Sequence, residues 1–99
     1  MAEDKQNVRI ITVKIDGEGT LVIAVVDSGP VVKDFWGTDD YEFWYRVRAD
    51  RIETLARRLN TTIEEIVDEI NANWRGDQFY ALEEILKEPG IKAEFSSYV

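Results

Sequence analysis

The sequence predicts an α+β fold: a mostly antiparallel sheet of about four strands with three helices on one face, in the order βββαααβ. Three observations predict it. The first half carries strand-like runs joined by turn chemistry, the apolar period lengthens to that of a helix after Asp50, and alternation returns beyond Pro89-Gly90.

Val8 to Ile15 is rich in Val, Ile and Thr and reads as the first strand. Its apolar phase slips between Ile10 and Ile11, which predicts a bulge or a strand covered on both faces. Asp16-Gly17-Glu18-Gly19 supplies a hairpin, because Asp-Gly tolerates the positive φ of a tight turn. Leu21 to Val26 is continuously apolar, as strands at the centre of a sheet are. Asp27-Ser28-Gly29-Pro30 ends it, and a loop runs to about Asp40. From Tyr41 to Arg48 the pattern alternates. Tyr41, Phe43, Tyr45 and Val47 share one face, and Glu42, Trp44, Arg46 and Arg48 share the other.

Asp50, with Glu53 in capping-box position, is expected to open a helix bearing Ile52, Leu55, Ala56 and Leu59, which Asn60 closes. Thr61 with Glu64 makes a second such box. The helix it opens, over Thr62 to Trp74, has Ile63, Ile66, Val67, Ile70 and Trp74 as its apolar stripe. Gly76 stops that helix, and Asp77 starts a third with Phe79, Leu82, Ile85 and Leu86. Ile91, Ala93 and Phe95 then alternate as the last strand.

Length and composition bound the rest. Ninety-nine residues, 44% of them hydrophobic, predict a single domain, with residues 1–6 a flexible tail. There is no cysteine and no histidine, which removes disulfides, thiolate sites and the commonest metal ligand and general base. The sequence therefore predicts no cofactor, no metal and no enzymatic activity. Neither a basic-apolar leader nor a membrane-length apolar run is present, so the expected location is the cytoplasm. Twenty acidic against twelve basic residues give a formal charge of −8, a field that repels nucleic acid and anionic membrane and attracts basic partners.

Two short helices across the turn at Asn60 have the outline of a DNA-binding helix-turn-helix. The second would meet phosphates with Glu64, Glu65, Asp68 and Glu69, so no nucleic acid is expected as partner. Asp50 to Val67 also resembles the helical half of a lysin-motif domain, but a third helix follows in place of the returning strand.

A longer resemblance rests on Asp34-Phe35-Trp36-Gly37, Tyr41-Glu42-Phe43-Trp44 and Gly90-Ile91-Lys92-Ala93-Glu94-Phe95. In these the chain resembles a group of small acidic bacterial proteins of uncharacterised function, similar in size, charge and architecture to immunity proteins that neutralise toxins. The resemblance implies a partner-binding role and no catalytic residue.

Two candidate surfaces follow. One is the acidic helix face of Glu64, Glu65, Asp68 and Glu69. The other is the loop with Asp34, Phe35, Trp36, Asp39 and Asp40, next to Trp44, where aromatics among acids suit a protein-binding hot spot. The expected function is a non-catalytic module that binds a basic toxin or effector domain, immunity- or antitoxin-like. Two alternatives stay open: a small carboxylate-dependent hydrolase or ligand-binding protein around Asp34, Asp39, Asp40 and Glu42, and a homo-oligomer sharing an edge strand.

Overall fold

The computed structural model describes residues 8–28 and 40–98. The expected N-terminal tail and most of the aromatic loop, including Asp34, Phe35, Trp36 and Asp39, lie outside the described residues. The elements are β1 (Val8–Ile15), β2 (Leu21–Ser28), β3 (Asp40–Val47), α1 (Ile52–Arg58), α2 (Ile66–Asn73), α3 (Gln78–Leu86) and β4 (Glu94–Tyr98). The fold is α+β in the predicted order. The strands form one antiparallel sheet in the order β1-β2-β3-β4, each paired with its neighbour in sequence or, for β4, with β3.

The first connection shows why the sheet starts as it does. The Asp16 backbone N–H bonds the Thr20 carbonyl at 2.9 Å and Gly19 N–H bonds the Asp16 carbonyl at 3.0 Å. The Asp16 carboxylate accepts from the N–H groups of Glu18 and Thr20. The positive φ falls on Gly19, at +84°, rather than on Gly17. A side chain at Gly19 would also meet the Ala49 methyl at 3.3 Å, so both conformation and space call for glycine there.

Register then assigns the faces. Ile11 pairs with Val25 and Val13 with Ile23; Val25 pairs with Phe43 and Ile23 with Tyr45. These residues join Ile52, Leu55, Ile66, Ile70, Phe79, Leu82 and Leu86 in one buried cluster, so all three helices cover the same sheet face. Each helix contributes its apolar stripe, and the sheet contributes alternate residues, as a two-layer architecture requires.

Several local expectations are corrected. β1 has no bulge: its register with β2 is unbroken, and Ile10 projects from the face opposite Ile11, 55% exposed. The apolar phase slips because β1 carries an apolar residue on each face, not because the backbone inserts one. Neither capping box forms. Ala49–Arg51 and Ile63–Glu65 are 3₁₀ turns leading into α1 and α2, without a side-chain cap, and Glu53 instead pairs with Arg57 at 2.9 Å. The tighter turn takes Ile63 off the stripe, where it is 41% exposed, while Ile66 and Ile70 are fully buried. β4 begins at Glu94, since Ile91 is a buried plug whose backbone N–H bonds Glu88, and the Lys92 φ of +44° breaks the extended run. Phe95 lies on the surface, its ring 5.2 Å from that of Tyr45.

Helix ends follow the sequence more closely. Asn60, at φ +64°, closes α1: Thr61 N–H bonds the Ala56 carbonyl and Asn60 N–H bonds that of Arg57. Both bonds belong to the Schellman pattern that left-handed residues complete. Gly76, at φ +63°, separates α2 from α3.

Two polar contacts bind the layers at their margins. Arg75 donates to the Ile11 carbonyl at 3.1 Å, covering a backbone acceptor of β1, the edge strand among the described residues. The Tyr45 hydroxyl donates to Glu83 at 2.7 Å, joining β3 to α3. Burial of the Tyr45 phenol, followed by the Glu83 carboxylate, pushes its pKa above the usual tyrosine value. Because the folded-state pKa is raised, the contribution is full below the unfolded value of ~10 and is lost as pH rises beyond it. Above pH ~10 the wild type should lose up to about 1.4 kcal/mol per pH unit more than Tyr45→Phe. Urea melts of both proteins between pH 8 and 12 check this, and parallel slopes would contradict it.

Candidate functional site

The acidic face is built by the turn and helix that follow α1. The Schellman end of α1 turns the chain back, the 3₁₀ turn projects Glu64 and Glu65 outward, and α2 places Asp68 beside them while Ile66 and Ile70 face the core. Glu64, Glu65 and Asp68 are exposed and Glu69 is half-buried. Two shallow hollows flank them. One, of about 280 Å³, is lined by Thr61, Glu65, Asp68, Glu69 and Ala72. The other, of about 380 Å³, lies between α1 and the turn and is lined by Ala56, Arg57, Thr61, Thr62, Ile63 and Glu64, with Glu53 at its margin.

Ion pairs among the described residues join Arg9 to Asp27, Arg48 to Asp50, Arg57 to Glu53, Arg58 to Glu88 and Lys87 to Glu84. None reaches Glu64, Glu65 or Asp68. Glu69 differs: its carboxylate accepts from the Trp74 indole N–H and from Asn73, both at 3.2 Å, and so fixes the end of α2. Like charges at i,i+4 cost a few tenths of a kcal/mol per pair. Position near the N-terminus of α2 offsets that, since the helix dipole favours negative charge there.

The second expected surface is only partly described. Asp40 opens β3, and Trp44 lies four residues further along, on the sheet face turned away from the helices. The Arg46 guanidinium stands 5.4 Å from the Trp44 ring centre, and the indole N–H is buried without an acceptor among the described residues. Trp44 and the acidic helix face therefore occupy opposite layers and form no common surface.

The register also reveals a cluster not foreseen from the sequence. Arg9 meets Asp27 across β1 and β2 through two bonds, Nε to Oδ1 at 2.7 Å and Nη2 to Oδ2 at 2.8 Å. Its guanidinium lies about 6 Å from the rings of Phe43, Phe79 and Tyr80. A bidentate pair laid on aromatic rings fixes the end of the sheet against α3. Only the cross-strand pairing brings Arg9 and Asp27 together, and no local spacing signals it.

Among the described residues, no group of three acidic side chains is disposed to hold a metal ion. No helix among them is long and apolar enough to cross a membrane. No known protein family matches the chain, and neither does any curated protein or solved structure.

Proposed function

We propose that this protein is a non-catalytic, cytoplasmic binding module that holds a basic toxin or effector domain, one partner per chain, in the manner of an immunity or antitoxin-like inhibitor. The observation that carries this reading is the group of Glu64, Glu65 and Asp68, exposed on one helix face beside two hollows and paired with no basic side chain among the described residues. Such a face offers steering and complementary charge to a cationic surface and requires no chemistry of its own. The formal charge of −8 acts in the same direction at longer range. The sequence resemblance to small acidic immunity-like proteins supports the same role.

Affinity capture from the native host, with wild type and a Glu64→Lys/Glu65→Lys/Asp68→Lys variant as parallel baits, tests the proposal. A basic protein retained at one equivalent by the wild type and lost from the variant is the expected result. Recovery of the same proteins on both baits would contradict it.

A further inference from the structure

Charge steers a partner but does not hold it. Exposed carboxylates act mainly on the encounter, whereas retention depends on apolar contact from which water is excluded. An acidic face that holds its partner therefore needs an apolar centre, and Trp44 cannot supply one from the opposite layer. Of the exposed large apolar side chains described, Ile10, Ile15, Ile63, Tyr80 and Phe95, Ile63 is the one that lines the hollow beside Glu64.

The local fold puts it there. A regular helix from Thr62 would set Ile63 on the stripe with Ile66 and Ile70. The 3₁₀ turn over Ile63–Glu65 instead leaves it outside the core, in the hollow of about 380 Å³ that it shares with Ala56, Thr61 and Thr62. A lone isoleucine on a convex surface is ordinary. One set in a hollow offers an incoming side chain contact on several sides.

Charge around the hollow selects the occupant. Glu53 and Arg57, on the α1 side, pair with each other at 2.9 Å and cancel. Glu64 on the other side, and Glu65 next to it, meet no basic side chain among the described residues. The hollow is thus apolar at its centre, neutral on one side and anionic on the other. That pattern fits an aliphatic side chain carried by a cationic segment: the aliphatic group displaces water from Ile63, and a neighbouring cation meets Glu64. An acidic segment would bring like charge to Glu64, and an uncharged one would leave its carboxylate unpaired at the contact.

We infer that Ile63 is the apolar anchor of the acidic face, and that the hollow between α1 and the 3₁₀ turn takes an aliphatic side chain from a basic segment of the partner. This rests on the acidic-face reading above and adds which residue holds the partner once charge has brought it in.

Heteronuclear magnetic resonance titration of the isotope-labelled protein at low salt, with three capped peptides, tests the anchor. The peptides are Gly-Arg-Arg-Leu-Arg-Arg-Gly, its counterpart with serine in place of leucine, and Gly-Glu-Glu-Leu-Glu-Glu-Gly. The leucine-arginine peptide should shift the amides of Ala56, Arg57 and Thr61 to Glu64, with a dissociation constant about fivefold or more below that of the serine peptide. The glutamate peptide should leave them unmoved. Ile63→Ser keeps the charge and should erase the difference between the two arginine peptides; circular dichroism melts establish that it folds, and the wild-type comparison stands without it. Equal affinity for both arginine peptides, both lost with Glu64→Lys/Glu65→Lys/Asp68→Lys, would overturn the anchor and leave the acidic face as a binding surface. Shifts confined to other residues, or no binding of either arginine peptide, would also overturn the anchor, and capture with the charge-reversed bait described above decides the acidic-face reading on its own.

Discussion

Ile66→Ala should destabilise the protein by about 2–5 kcal/mol, the usual cost of emptying a fully buried aliphatic site. Ile66 is the first residue of α2 and has no exposed surface, and α2 packs against β1. Truncation removes the side chain's transfer energy and leaves a cavity that close-packed neighbours fill only in part. Native domains are stable by only ~5–15 kcal/mol, so the variant should unfold at clearly lower denaturant concentration. Ile63→Ala is the internal comparison. Ile63 sits three residues earlier and is 41% exposed, so it should cost under about 1 kcal/mol. Equal losses at the two positions would contradict the difference in burial between Ile66 and Ile63.

Reversal of Glu64, Glu65 and Asp68 to lysine should slow association with the basic partner proposed above by about tenfold or more at low ionic strength. The change takes the formal charge from −8 to −2 and replaces the outward face of the turn and first helical residues with positive charge. Dissociation should change less, because exposed rim charges act mainly on the encounter. Near 1 M salt the Debye length is ~3 Å, and the two proteins should associate at similar rates. Surface plasmon resonance across ionic strengths checks this. Glu69 is kept because its bond to Trp74 secures the helix end, and its loss would confuse steering with folding.

Most of the fold was legible in the sequence. The alternation from Tyr41 to Val47 sets the faces of β3, and continuous apolarity from Leu21 to Val26 marks β2 as one of the two central strands. What escaped was of two kinds. Local choices between near-equal conformations went against the capping rules, as at Asp50 and Thr61, where 3₁₀ turns replace side-chain caps. Contacts distant in sequence left no spacing signal: Tyr45 finds Glu83 and Arg75 finds Ile11 only because the layers bring them together.

The candidate site was legible in composition but not in arrangement. Four clustered acids are visible in the sequence, yet only the helix geometry separates Glu69, engaged by Trp74, from Glu64, Glu65 and Asp68. Trp44 and the acidic face are both expected from the sequence to bind a partner, and the sheet places them on opposite sides of the molecule.

The most direct measurement of the central claim is a titration of the captured partner's activity with this protein. A stoichiometric inhibitor predicts a linear loss that reaches its floor at one chain per partner, with activity recovered when high salt separates the two. Inactivation by far less than one equivalent, or full partner activity in the presence of excess protein, would contradict the account.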